Sequence, residues 1–332
     1  MHGEMMSAAT ALEQGTARTL PPHILVVIPT RNRPADLDRC LESLLQVAYP
    51  SWELLIVDQS DGDATRQVAE GYRQRLPEIT YHRMQERGAC RARNVALEWA
   101  SSEIVAYLDD DCTVGHEWLT GVAAAFLRHP AAALVFGSVY AASHDSSQEL
   151  VPEVIFDRER TVGGPFTHAE IGMGASMYLW PARSAYPQPF DVHLGAGTRW
   201  PSAEEGDLAC RLIRGGAPVV LTPAIRVCHH GARPLCGGVA GKLFRGYALG
   251  FGAMDMKMIR CGDWRSLWRA LDQIRRYLGD ILLALVTRGR PSGLGSLAMY
   301  LRGLAESFLL PVDRAQHLYM SARPRAQRYT ER

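Results

Sequence analysis

The sequence predicts an α/β fold, a mostly parallel sheet flanked by helices, with a helical extension at its C-terminal end. Two continuous apolar runs, Ile24–Ile28 and Leu54–Val57, read as strands covered on both faces. Stretches of helical period alternate with them, as right-handed crossovers between parallel strands require. From about residue 236 the pattern is helical throughout.

The elements follow in order. The first strand is His23–Pro29. Pro34 opens a helix whose apolar positions Leu37, Cys40, Leu41, Leu44 and Leu45 fall on one 3.6-residue stripe. Leu54–Asp58 is the second strand, and a third is expected near Ile79–Met84, before a helix over about 89–100. Ile104–Leu108 is the fourth, and it runs straight into Asp109-Asp110-Asp111. The middle is looser: a strand at Ala133–Tyr140, a polar loop, then Gly172–Trp180. A helix starting near Ser202 carries Leu208 and Leu212 inward and ends at Gly215-Gly216. Val219–Leu221 and a strand at Ala224–Cys228 lead to His229-His230. Later, Trp264, Leu267, Trp268, Leu271, Ile274, Leu278, Ile281 and Leu285 form one helical stripe.

The expected organisation is a leader over 1–22 and a catalytic domain over 23–235. That domain divides into halves at 23–112 and 113–235. Helices follow over 236–320, with a basic tail over 321–332. Of 332 residues 47% are hydrophobic and 21% charged, which excludes a disordered or fibrous chain. The net charge of +1 excludes a uniformly basic nucleic-acid binder, but it hides −8 over 1–235 and +9 over 236–332. The seven cysteines form no C-x-x-C pair, so paired-cysteine zinc is not expected and reduced thiols are. No apolar run reaches the roughly 18–20 residues of a spanning helix, and the leader lacks a signal-peptide core, so a cytoplasmic protein is expected.

Three consecutive aspartates at the end of a buried strand repel one another and resist burial unless a cation offsets them. Mg2+ or Mn2+ is the natural partner of such carboxylates, and Mg2+ commonly shares its shell with substrate phosphates. In open sheets ligands bind outside the carboxyl ends of the strands. Here Thr30 and Arg31, Asp58, and Asp109 to Asp111 all follow strands, which marks one edge as the site.

Val27-Ile-Pro-Thr-Arg-Asn-Arg-Pro34, Val57-Asp58, Gly88-Ala-Cys-Arg-Ala-Arg-Asn94 and Leu108-Asp-Asp-Asp111 occur in that order. They are followed by Phe190-Asp191 with Leu194-Gly-Ala-Gly197, by Ala203-Glu-Glu-Gly-Asp-Leu208, and by Pro223 six residues before His229. This set resembles the family 2 glycosyltransferases, inverting enzymes of GT-A fold, a Rossmann-like architecture, over residues 23–235. The resemblance implies a metal-dependent, inverting transfer of sugar from a nucleotide-diphosphate sugar, most commonly uridine-linked, to an acceptor hydroxyl of unknown identity. Pro29, Thr30 and Arg31 would line the nucleotide pocket, Asp58 would accept from the base, and Arg93, Asp109 and Asp110 would hold the donor. Asp111 and His229, with His230 as the alternative, would hold Mn2+ or Mg2+. Where the family carries a Glu-Asp pair this chain has Glu204-Glu205, which leaves Glu205 or Asp207 as the base and Glu204 on the acceptor side. Ser176 stands on that side where relatives commonly carry Asn.

Blander readings accompany these. Ser202-Ala-Glu-Glu205 also fits a capping box, Asp58 a turn, Arg93 a surface charge, and the histidines ordinary strand-end residues. The stripe after Trp264 reads as packing on the catalytic domain or a partner subunit, with peripheral attachment to an anionic bilayer as the alternative. Two other functions are a non-catalytic sugar-nucleotide or carbohydrate binder and a sugar nucleotidyltransferase. The latter normally carries a Gly-rich signature after the first strand. A dinucleotide-dependent dehydrogenase is excluded because no G-x-G-x-x-G follows that strand.

Overall fold

The computed structural model describes residues 20–76, 78–99, 102–288 and 293–320. Most of the expected leader (1–19) and the basic tail (321–332) lie outside the described residues. The chain runs β1 (Ile24–Thr30), α1 (Pro34–Leu44), β2 (Trp52–Asp58), α2 (Ala64–Gly71), β3 (Ile79–Arg83), α3 (Ala89–Trp99) and β4 (Ile104–Tyr107). Then come β5 (Cys112–Val114), α4 (Trp118–Arg128), β6 (Leu134–Ala141), β7 (Glu149–Leu150), β8 (Arg160–Val162) and β9 (Met177–Leu179). The C-terminal part holds α5 (Glu204–Arg214), β10 (Val219–His229), β11 (Arg233–Pro234), α6 (Val239–Arg260), α7 (Trp264–Arg288) and α8 (Leu294–Phe308). A short pair, β12 (Val312–Asp313) and β13 (Leu318–Tyr319), follows.

The main sheet has the order β3-β2-β1-β4-β9-β6-β10-β5, with β8 also on β10. Its first half is parallel, from β3 to β4. The second half is mixed: β9 runs antiparallel to both β4 and β6, while β10 runs parallel to β6. Periodicity reports burial and not strand direction, so this reversal is not legible in the pattern. Along β1, Ile24, Val26 and Ile28 enter one core, and Leu25 and Val27 enter the other. Both faces are therefore covered, which is why the run lacks polar alternation. On α1, Leu37, Cys40, Leu41 and Leu44 are buried against the first of those cores.

Val219–Leu221 and Ala224–Cys228 are one strand, not two. The ladder with β6 shifts between Thr222 and Arg226, where Pro223 lacks an amide hydrogen to donate. The far end of β10 pairs antiparallel with β5, and His229 stands opposite Cys112, one residue from Asp111.

A fully buried charge cluster ties α6 to the sheet domain. The Lys257 ammonium lies 2.6 Å from Asp191 and 2.7 Å from Asp207, and Arg211 reaches the other oxygen of Asp207 at 3.2 Å. Asp191 also accepts the Tyr319 amide.

The stripe after Trp264 does not pack as expected. Ile281 is buried and Ile274 partly so, but Trp264, Leu267, Trp268, Leu271, Leu278 and Leu285 are exposed. The inward side of α7 carries Ser266, Arg269 and Ala270 instead. Arg269 donates to buried Asp255 at 2.7 Å, and Asp255 also accepts from Tyr300 at 2.6 Å. Asp255 also meets His168 at 2.9 Å, and Arg269 completes the compensation of this buried carboxylate, which favours this rotation of the helix over burial of the leucines.

Removing Lys257 leaves two buried carboxylates undercompensated. Lys257→Ala is expected to lower unfolding stability by about 3–5 kcal/mol in urea denaturation. A loss below about 1 kcal/mol would mean that the cluster contributes little to holding α6 in place.

Candidate active site

The carboxyl ends of β1 and β4, the start of α5, the end of β10 and the N-terminal half of α6 enclose a cleft of about 1060 Å³. Pro29, Thr30, Arg31, Arg93, Asp109, Asp110, Asp111, Glu204, Glu205 and His229 all line it. Asp58, Asp207 and Ser176 do not.

Each aspartate of the triplet has its own compensation. The Asp109 carboxylate, partly open to the cleft, accepts from Arg93 at 3.2 Å. Asp110 accepts from the Thr30 hydroxyl at 2.8 Å and from Arg33 at 3.1 Å. Burial, with the charge of Asp111, still pushes Asp110 up to about 6. Asp111 accepts from Arg33 at 2.9 Å and lies 3.5 Å from His229 Nε2. Burial alone would raise it, but His229 and Arg33 outweigh that and hold it at about 2. Arg33 thus bridges two carboxylates. Arg31 is the expected residue of this turn, but it is Arg33, just before the Pro34 that opens α1, that reaches back to the strand ends.

His229 has the orientation of a metal ligand. Its Nδ1 lies 2.9 Å from the Pro152 carbonyl, which fixes Nδ1 as the protonated nitrogen and turns Nε2 toward Asp111. Asp111, Cys112 and His229 bring ligand atoms within 4.8 Å of one another. Burial and the adjacent aspartates push the Cys112 thiol well up, and a sulfur donor is softer than Mn2+ or Mg2+ prefers. Gly231 keeps the space open, since a Cβ there would stand 2.5 Å from His229 Nε2 and 2.8 Å from Asp111 Oδ2. An oxygen, an imidazole Nε2 whose proton a bound cation would displace, and room beside them fit Mn2+ or Mg2+. His230 faces Thr113 instead, at 2.9 Å.

The two glutamates at the start of α5 diverge. The preceding residue, Ala203, adopts φ +76°, a left-handed conformation costly for alanine, and no side chain caps the helix. The Ser202–Glu205 capping box does not form. Glu204 accepts from buried Arg93 at 3.0 Å. Burial disfavours charge on Arg93, but Asp109 and Glu204 more than offset this and raise it. Glu205, half-buried, accepts from the Gly174 amide at 2.9 Å. Burial and the Glu204 charge push Glu205 up to about 8. Two adjacent carboxylates with such different environments are a general acid–base pattern.

Three expected roles are corrected. Asp58 is fully buried and is engaged by the Tyr81 hydroxyl and the Ser60 amide, so its neighbour Gln59 faces the cleft instead. Asp207 is fully buried in the Lys257–Arg211 cluster, which removes it as a base. Ser176 is fully buried against Tyr178 at 2.9 Å, and Met173 and Gly174 form the wall in its place. On α6, Leu243, Phe244, Tyr247 and Phe251 supply an apolar wall that the motif reading had not found.

Comparison with known proteins bears on this geometry. The family model described as glycosyl transferase family 2 matches residues 25–178. Residues 25–178 are a family 2 glycosyltransferase domain. Glycosyltransferase AglE of Haloferax volcanii is 30% identical over 101 residues, 30% of this chain and 33% of AglE. WcaA of Escherichia coli K12, a glycosyl transferase assigned to colanic acid biosynthesis, is 27% identical over 241 residues, 68% of this chain and 79% of WcaA. Matches to the first curated relatives thus span about a third of those proteins' length. Among solved structures, a mannosyltransferase of Pyrobaculum calidifontis in complex with GDP-Man and Mn2+ superposes with a TM-score of 0.55 at 16% identity. That superposition covers 87% of this chain and 76% of the mannosyltransferase. At such identity the likeness shows the fold, which is GT-A.

Two outcomes test the site of this transferase domain. Glu205 is raised from the ordinary carboxylate range to about 8, so the native state holds its proton longer than the unfolded chain and stability falls as pH rises between those values. Glu205→Gln is therefore expected to unfold at a higher temperature than wild type above about pH 8, with the gain vanishing in acid. Equal melting temperatures throughout would place Glu205 in an ordinary aqueous environment. Gly231→Ala is expected to weaken Mn2+ binding on the order of ten- to a hundredfold, read from the paramagnetic signal of free Mn2+. Unchanged affinity would exclude this cluster as the ion site.

Proposed function

We propose that this protein is a metal-dependent, inverting glycosyltransferase that moves a sugar from a nucleotide-diphosphate sugar to an acceptor hydroxyl. The observation that carries the reading is the meeting of two groups in one cleft. One is the Asp111–His229 pair beside open space, and the other is Glu205, a carboxyl with a pKa near neutrality.

Thr30 and Arg31 form the turn on which the nucleotide rests, with Gln59 beside it. Arg93, locked between Asp109 and Glu204, presents a fixed positive charge to the donor. Asp111 and His229 would hold Mn2+ or Mg2+, which would supply Lewis-acid neutralisation of the diphosphate leaving group. Glu205 accepts the proton of the acceptor hydroxyl as that oxygen bonds to the anomeric carbon. The bond from that carbon to the diphosphate oxygen breaks on the opposite face, which inverts the configuration. The raised pKa of Glu205 makes it a stronger base than an exposed glutamate, and it gives up the proton it has taken to solvent before the next cycle.

The apolar α6 wall is where the acceptor is held in this reading, because it faces the cleft beyond Glu205. The acceptor's identity is a matter for assay.

A panel of UDP- and GDP-sugars with Mn2+, read by release of nucleoside diphosphate, tests the proposal. Activity is expected to rise with pH through an apparent pKa near 8. Glu205→Gln is expected to lower kcat by about 10²–10⁴-fold with donor binding retained. Asp111→Asn is expected to lose its response to metal. If every donor fails to bind or turn over, or if Asp111→Asn matches wild type, the reading is wrong.

A further inference from the structure

The outward face of α7 has no partner among the described residues. Trp264, Trp268, Leu271, Leu278, Leu282 and Val286 stand between 49% and 78% exposed. At 100° per residue these six fall on a single face, opposite the side that Arg269 turns toward Asp255. Six large apolar side chains on one exposed face exceed the scattered exposure of ordinary surfaces. The buried Arg269–Asp255 pair favours that rotation of the helix, so the exposure is built into the fold.

We propose that this face docks on an anionic lipid bilayer, with α7 lying in the plane of the interface. Charge selects this occupant over a second copy of the chain. On α7, Arg265, Arg275 and Arg276 outnumber Asp272 and Asp280, so a two-fold contact through this face would bring two basic helices together, whereas an anionic surface complements one. The positions of the arginines agree. Arg275 stands in the middle of the apolar face, 72% exposed, and Arg276 lies toward its edge; both share the single carboxylate of Asp272, at 2.7 and 2.6 Å, so the cluster keeps a net positive charge. Long arginine side chains bury their stems in the acyl boundary and leave the guanidinium among headgroups. The two tryptophans at the start of α7 suit the same interfacial depth. Among the described residues no helix is long and apolar enough to cross a membrane, so α7 lies on the bilayer and does not span it.

The inward side of α7 is linked to the cleft wall through α8. Ile281 on α7 packs under Gly293, Gly295 at the start of α8 lies against Arg245, and the adjoining Phe244 lines the cleft while half-exposed.

Flotation of the full chain tests this, using vesicles rich in phosphatidylglycerol against vesicles of pure phosphatidylcholine. Binding is expected only to the anionic vesicles, weakening as salt rises, with a blue shift of tryptophan emission on binding. Leu278→Glu/Leu282→Glu, at exposed positions, is expected to abolish flotation while circular dichroism stays unchanged. Arg275→Glu/Arg276→Glu is expected to weaken it on the order of tenfold or more. The proposal is overturned if wild type does not float with anionic vesicles, or if Leu278→Glu/Leu282→Glu floats equally well. It is also overturned if light scattering shows a dimer that this substitution breaks, since the occupant is then a second copy.

Discussion

Asp109, Asp110 and Asp111 leave a fully buried strand side by side, and their mutual repulsion organises what surrounds them. Each carboxylate is met by a different element: Asp109 by Arg93 of α3, Asp110 by Thr30 of β1, and Asp111 by His229 of β10. Arg33, between β1 and α1, bridges the last two. One run of like charge thus fastens together the ends of three strands and two helices. The ordering of the cleft and the compensation of its charges are the same set of contacts.

A second division of charge occurs at the start of α5. Arg93 is shared between Asp109 and Glu204, which leaves Glu205 with backbone amides as its partners. Neutralising Glu204 does not neutralise Glu205; it leaves a charged neighbour that raises the Glu205 pKa. The left-handed Ala203 turns the chain so that both glutamates open the helix at the cleft. Local strain here coincides with the residues proposed for chemistry, as it does at many functional sites.

The C-terminal helices belong to this arrangement. Lys257 of α6 reaches into the sheet domain to Asp191 and Asp207, so the helix that walls the cleft is anchored by the helix that begins with Glu204. Placement of the expected base candidates follows from this: Asp207 is consumed by the anchor, and Glu205, two residues earlier and 200° around the helix, faces the cleft.

The buried strands, the α1 stripe and the collection of polar residues at strand ends are all legible in residue order alone. Each of these is a local pattern of burial. The Asp111–His229 pairing was suggested by motif order, and the β5–β10 register shows how it arises. What only the tertiary structure decided involves partners far apart in sequence: Arg93 with Glu204, Lys257 with Asp191, and Arg269 with Asp255. Asp58 and Ser176 read as site residues because they follow or begin strands, yet each turns into the protein toward a tyrosine that no pattern announces. The stripe of α7 shows the limit most plainly. A helical wheel reveals that one face is apolar, but the other face turns inward, because Arg269 there completes the compensation of a buried carboxylate.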